Sequence, residues 1–491
     1  MKFDFRNGTF SHLRSAPAAT ALVHPGGKMS WQSLHTATRA WMGRAVAAGA
    51  RADRPVVVLG QKEAAFVAAV LGCLALGVPY VPVDSLDSVD RIRQIVDISR
   101  ASVIYDTAAD RFIPGPPGAD DLDEADLACI FFPSSTKELL GVQIGRESLA
   151  PLAKWIQHHV GLGPAPVFMD HMPFSYDFPL FNLIGALGTG GTCVLCPRDV
   201  HAQGSGFVHQ LAKHRVTVLA ATPTFVRQQL SNPHFAGLQL PDLGMLVLGG
   251  EPICKPLVDE LRERFPKLRI VSAYGSTEVT GLVAWTELDH SMQDPVSGNY
   301  TVGRARRYAE IFIRNGEICV AGSQVMRGYI NAPSLNEIRL FAYKGKRAYR
   351  TGDAGTIDER GLVHSRGRRD GKVQLHGFRL ELGEVDSALT ALPGVRGGVA
   401  TALHREDGTF SHIVGVVEPV DAVHGAGIQP LPESLRRWRQ LLAARLPVYM
   451  MPSELVACSP LPTTDDDRVD RQKLEAMYRA SRRELRRAWM P

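Results

Sequence analysis

The sequence predicts an α/β protein, with a large N-terminal domain of several sheets followed by a small, mobile α+β cap. Three observations predict it. Between Ala21 and Asp106, apolar runs with strand character (ALVH, PVVVLG, PYVPV, SVIYD) alternate with helical stretches such as Trp31 to Ala48 and Ser88 to Ile98. At 491 residues the chain is too long for one ordinary core and should divide into at least two or three domains. The third is Gly367 to Glu384, GRRDGKVQLHGFRLELGE, which reads as a joint. Arg368, Arg369 and Asp370 crowd charge into a turn, and Gly371 and Gly377 loosen the backbone. Val373, Leu375, Leu380 and Leu382 then alternate with polar residues, as strands do.

Composition narrows the function classes. The chain is 45% hydrophobic and 21% charged with a net charge of +5, and its basic residues are dispersed rather than interleaved with aromatics. This pattern argues against a nucleic-acid surface. The start, MKFDFRNGTF, lacks an apolar signal core, so the expectation is an unprocessed cytoplasmic protein. Seven cysteines, an odd number and mostly within apolar strings, suggest reduced and buried thiols. The lone CxxC of Cys193 and Cys196 reads as strand, because no second pair follows. Ala64 to Val83 is apolar enough to suggest a membrane span, yet Pro79 and Pro82 stop a helix near Gly77. A buried helix and then a buried strand ending at Asp84 is the expectation, with no membrane partner.

The chain then offers a series of strand exits. A linker, Pro114 to Asp126, leads into the strand Ala128 to Phe132 and its exit PSSTKELLGV, where Ser134, Ser135, Thr136 and Lys137 supply hydroxyls and a cation suited to phosphate. Asp177 stands among Tyr176, Phe178, Leu180 and Phe181; a carboxylate there is either a helix cap or the partner of a cation. Val216 to Phe225 reads as a buried strand ending in a turn. So does Leu243 to Pro252, where Gly249 and Gly250, before Glu251, permit either a sharp turn or the close approach of a flat base. The strand Ile270 to Ala273 runs into Tyr274, Gly275, Ser276, Thr277 and Glu278, a set able to stack a base, bond a phosphate and hold a hard cation. In YRTGDAG, Asp353 suits a ribose diol or a plain turn. Beyond the joint, Val385 to Leu392 reads as a short helix, HIVGVV and SELVAC as strands, and the chain ends in an arginine-rich helix.

The joint, with its GRxD opening and GxRxELGE ending, resembles the hinge of the adenylate-forming superfamily of acyl-CoA synthetases, nonribosomal peptide synthetase adenylation domains and firefly luciferase. The resemblance covers nearly the whole chain and is closest to stand-alone amino-acid adenylation domains. It implies an AMP-binding domain over residues 1–368, a cap over 369–491 and a pivot at Asp370, with ATP and Mg²⁺ as cofactors. It implies that the Ser134–Lys137 loop holds phosphates, that Gly249, Gly250, Glu251 and Gly275 lie against the nucleotide, and that Tyr274 stacks on adenine. Thr277 would contact the α-phosphate, Glu278 would carry the metal, and Asp353 and Arg368 would bind the ribose. Asp177 would pair with a substrate α-ammonium, and Phe178, Phe181 and Ala273 would line its pocket.

Two departures from the family pattern stand out. The phosphate loop lacks internal glycines and puts Leu140 at the usual lysine position. The terminal NGK triplet is Asp466, Asp467, Arg468, which makes Arg468 the candidate for the terminal catalytic cation. The implied function is ATP-dependent activation of an amino acid or similar small acid as an acyl-adenylate, then transfer to an acceptor, first of all a thiol of a separate carrier protein. An amide- or CoA-forming ligase, and a non-catalytic fold that binds nucleotide as a scaffold, are the alternatives.

Overall fold

The structure, a computed structural model, describes residues 16–117, 122, 126–133, 139–198, 205–294, 299–368, 373–375, 378–380, 382–405, 410–420, 427–430, 435–462 and 469–488. The chain falls into two compact units, which among the described residues span 16–368 and 373–488. The first contains three sheets. In the seven-stranded sheet the order is Gly328–Tyr329, Val142–Gly145, Leu127–Phe131, Tyr80–Asp84, Val56–Gly60, Val103–Asp106, Arg111–Pro114. The nine-stranded sheet runs Arg304–Ala305, Gly281–Glu287, Arg269–Ser276, Met245–Gly249, Val218–Ala221, Val167–Asp170, Thr192–Leu195, Thr20–His24, Gly27–Ser30. A five-stranded sheet is built around Lys346–Ile357.

Local sequence explains the alternation. Ser30 and Ser88 accept hydrogen bonds from the amides of Ser33 and Arg91, opening the helices Trp31–Ala47 and Val89–Ile98. The apolar run forms a 13-residue helix, Ala64–Leu76, stopped at Gly77 with φ +81°. Nearly every position in it is buried between its neighbours, and no helix among the described residues is long and apolar enough to cross a membrane. Pro82 follows in an inner strand, where a missing donor is costly. The ladder to Leu127–Phe131 pairs only at Tyr80 and Cys129, so Pro82 leaves no gap in it. All seven cysteines are free and buried, Cys193 within a strand and Cys196 just after it.

The second unit carries a four-stranded sheet, Val395–His404, Phe410–Pro419, Glu454–Cys458 and Ile428–Pro430, covered by the helix Leu382–Thr390. Val373–Leu375 and Phe378–Leu380 form the expected small hairpin. Leu382 corrects the strand reading of the joint. It opens the helix, because Leu382, Val385 and Leu389 recur at helical spacing and are all buried.

Candidate active site

In the nine-stranded sheet, the parallel strands Val167–Asp170, Val218–Ala221, Met245–Gly249 and Arg269–Ser276 end along one edge, where open α/β sheets place ligands. The strand expected over Ile270 to Ala273 extends to Ser276, because its antiparallel partner keeps pairing as far as Gly281. A Cβ at Gly275 would lie 1.7 Å from the Gly281 carbonyl oxygen, so only glycine fits there. The chain reverses through the 3₁₀ turn Thr277–Val279, Thr280 (φ +57°) and Gly281 (φ +70°).

This turn projects the predicted nucleotide residues in sequence. The Tyr274 hydroxyl donates to Asp353 Oδ2 at 2.5 Å, joining the adenine and ribose candidates. Asp353 stands directly across the strand pair from Arg368. Glu278, 2% exposed, accepts from the Tyr329 hydroxyl at 2.8 Å, and that hydroxyl lies 3.1 Å from the hydroxyl of Tyr349. Tyr329 belongs to the seven-stranded sheet and Tyr349 to the five-stranded one, so Glu278 sits where the three sheets meet. Sequence reading did not find Tyr329, because its partner lies 51 residues away.

Asp177 lies on the loop between the strand Val167–Asp170 and the helix Pro179–Thr189. Both ends of that loop are fixed by a buried ion pair that sequence reading also missed: Lys62 Nζ is 3.0 Å from Asp170 Oδ2, and Asn182 donates to Asp170 Oδ1 at 3.3 Å. Lys62 also sits 3.7 Å from the ring centroid of Phe174, in mid-loop. Held this way, Asp177 is near the Thr277 hydroxyl and local backbone N–H groups, which favour its charged form. Burial and the neighbouring Glu278 carboxylate push its pKa up to about 6, and no cation is among the groups that act most strongly on it. Asp177 precedes Phe178, the N-cap residue of the helix, and does not itself cap it.

Beneath Asp177, Gly249 and Ala273 are neighbours in the sheet, and a Cβ at Gly249 would come within 3.0 Å of the Ala273 carbonyl oxygen and 3.4 Å of the Phe178 ring. Phe178 thus lies over a floor of small residues. Phe181 is 2% exposed and packs into the core against Phe168 and Trp285, at centroid distances of 6.1 and 6.4 Å. Gly250 has φ +83°, a conformation suited to glycine. Glu251 accepts from the Thr224 amide at 2.9 Å, in the first turn of the helix Pro223–Leu230, which Thr222 caps. The turn expected at the end of Val216 to Phe225 is therefore a helix start, with Thr222 as cap and Pro223 in the first turn. Ser134, Ser135, Thr136, Lys137, Asp370 and Arg468 lie outside the described residues, as does the side chain of Arg368.

The fold and the strand-exit cluster define a class. The sequence profile of the AMP-binding enzyme family matches residues 10–115 and 105–330, and the chain belongs to that family. It is thus an AMP-forming ligase by class. Among its curated relatives, a D-alanine–D-alanyl carrier protein ligase of Bacillus licheniformis is 28% identical, the match covering 94% of this chain and 97% of the relative. Its counterpart in Bacillus velezensis is 30% identical, covering 86% and 88%. Among solved structures, the Vibrio cholerae adenylation domain AlmE, crystallised with glycyl-adenosine-5'-phosphate, superposes with a TM-score of 0.81 at 17% identity, covering 98% of both chains. The amide bond synthetase McbA of Marinactinospora thermotolerans gives a TM-score of 0.79 at 21% identity, covering 95% of this chain and 98% of McbA.

Proposed function

We propose that the chain activates an amino acid with ATP as an aminoacyl-adenylate, releasing pyrophosphate, and passes the acyl group to the thiol of a separate carrier protein. The observation that carries this reading is Asp177, a half-buried carboxylate set beside the Thr277 hydroxyl and Glu278, with no cation among the groups that act most strongly on it. An α-ammonium is the group that such a carboxylate lacks, and binding it recovers the desolvation that raises the pKa.

The other roles follow from position. Tyr274 carries the base on its ring while its hydroxyl orients Asp353 for the ribose diol, with Arg368 across the strand as the second ribose contact. Gly249 and Gly250 let the base approach the backbone. Thr277, beside Asp177, brings the α-phosphate and the amino acid to one point, which is what attack of carboxylate oxygen on phosphorus requires.

Among the described residues no cluster of three His, Cys, Asp or Glu is placed to cage a metal. Mg²⁺ typically takes one or two carboxylates and substrate phosphates, and Glu278, oriented by Tyr329, fits that need. Bound there, Mg²⁺ supplies positive charge to the phosphates. The Ser134–Lys137 loop and Arg468 supply the remaining cations and donors, and the cap over 369–491 pivots at Asp370 between adenylation and transfer.

The test is amino-acid-dependent exchange of labelled pyrophosphate into ATP. Exchange with at least one amino acid, lost with its deamino analogue, is the expected result; no exchange with any acid defeats the reading. Lys137→Ala reduces exchange if that lysine replaces the one missing at Leu140, and undiminished exchange removes it from the site.

A further inference from the structure

Arg306 is a buried cation that the proposed chemistry does not use. It follows the edge strand Arg304–Ala305, and its amide donates to the Val283 carbonyl at 2.9 Å. The residue is 4% exposed, and none of its three guanidinium nitrogens has a hydrogen-bond partner among the described residues. Its contact is with the face of Trp155, 5.9 Å from the guanidinium carbon to the ring centroid. Burial lowers its pKa to about 10, with no carboxylate acting against that shift. A cation–π contact offsets only part of the cost of an uncompensated buried charge, so the site calls for an anion.

The sheet register says where that anion lies. Ala284 pairs with Ala305 and Trp285 with Arg304, which sets Arg306 opposite Val283. Arg304 stands opposite Trp285, and Arg306, two residues on, returns to the same face as Trp285. This is the face of the small-residue floor: Trp285 is paired with Ala273 and Ala273 with Gly249, where a Cβ would come within 3.4 Å of the Phe178 ring beside Asp177. Trp285 packs against Trp155, the ring under Arg306, and against Phe181, so the cation lies in an aromatic setting that strengthens a charge contact.

We propose that Arg306 determines the substrate class: an amino acid whose side chain ends in a carboxylate, with its α-ammonium on Asp177 and that carboxylate on the Arg306 fork. This rests on the reading of Asp177 as the ammonium ligand. A planar guanidinium takes a carboxylate through two parallel hydrogen bonds, and an amide of the same shape would leave part of the fork unpaired.

The test is the pyrophosphate exchange assay on the full chain, with aspartate and glutamate of both configurations set against asparagine, glutamine and alanine. An acidic amino acid is expected to exceed its amide by about 100-fold in kcat/KM. Arg306→Met should lower exchange with the acidic substrate by a similar factor while sparing the neutral ones, and Arg306→Lys should restore part of the preference. A wild-type ranking with alanine or an amide first overturns the inference without any variant, and so does an Arg306→Met loss that is equal for acidic and neutral substrates. Exchange with neutral amino acids alone leaves the activation reading standing and defeats this one; exchange with none defeats both.

Discussion

Asp170 and Asp177 stand at the start and near the end of one strand-to-helix connection, the first buried and the second half-buried, and they are treated in opposite ways. Asp170 is 0% exposed and fully engaged, with Lys62 on one oxygen and Asn182 on the other. Burial raises its pKa even so, while Lys62 acts in the opposite direction. Asp177 has hydroxyl and backbone donors and a second carboxylate beside it. The first arrangement closes a loop; the second holds a charge ready for a cation that arrives with the substrate. A buried carboxylate becomes informative about function when its strongest neighbours include no cation.

The sharpest break in this comparison comes from the engaged pair. Lys62→Met should cost about 3–5 kcal/mol in chemical denaturation, because it strands Asp170, and a second change, Asp170→Leu, should recover much of that. A small loss for Lys62→Met alone would mean that the pair does not close the loop. Next in size, Asp177→Asn should lower kcat/KM for the amino acid by about 100-fold while leaving stability undiminished, since it removes a desolvated charge and keeps the shape. Equal activity of the variant on amino and deamino acids would follow.

The pH dependence sharpens the contrast. The folded pKa of Asp177, about 6, lies above the ordinary aspartate value of 3.8, so the native state binds the proton more tightly than the unfolded chain. The stability from that protonated carboxyl is complete below about pH 4 and lost as pH rises through 6, on the order of 3 kcal/mol. Asp177→Asn should flatten that part of the stability profile. Over the same interval kcat/KM for the amino acid should rise, because only the carboxylate binds an ammonium. The smallest effect is expected from Tyr274→Phe, which removes the bond that orients Asp353. KM for ATP should rise about fivefold, near 1 kcal/mol, with little change in KM for the amino acid.

Much of this was legible in contiguous text. The α/β alternation, the buried helix before Gly77, the hairpin after the joint and the strand exit at Tyr274–Glu278 all follow from short-range pattern, since glycines, hydroxyls and apolar spacing act over a few residues. Local pattern misled at Leu382, where a brief alternation preceded a helix, and at Pro223, where a turn proved to be the first turn of a helix capped by Thr222. At Glu251, expected against the nucleotide, the fold adds a structural contact that the sequence did not reveal, the Thr224 amide of that same helix.

The sequence by itself determined which residues can do chemistry: Asp177, Tyr274, Thr277, Glu278 and Asp353 each carry a suitable group at a strand exit or turn. Only the tertiary structure decided which of them meet, because the joining contacts are long-range. Asp170 finds Lys62 across 108 residues, Tyr274 finds Asp353 across 79 and Glu278 finds Tyr329 across 51. Composition and period record what a residue prefers locally. Whether a buried charge receives a partner from another sheet depends on how the sheets close over it, and that separates Asp170 from Asp177 and leaves the Arg306 guanidinium without a hydrogen-bond partner among the described residues.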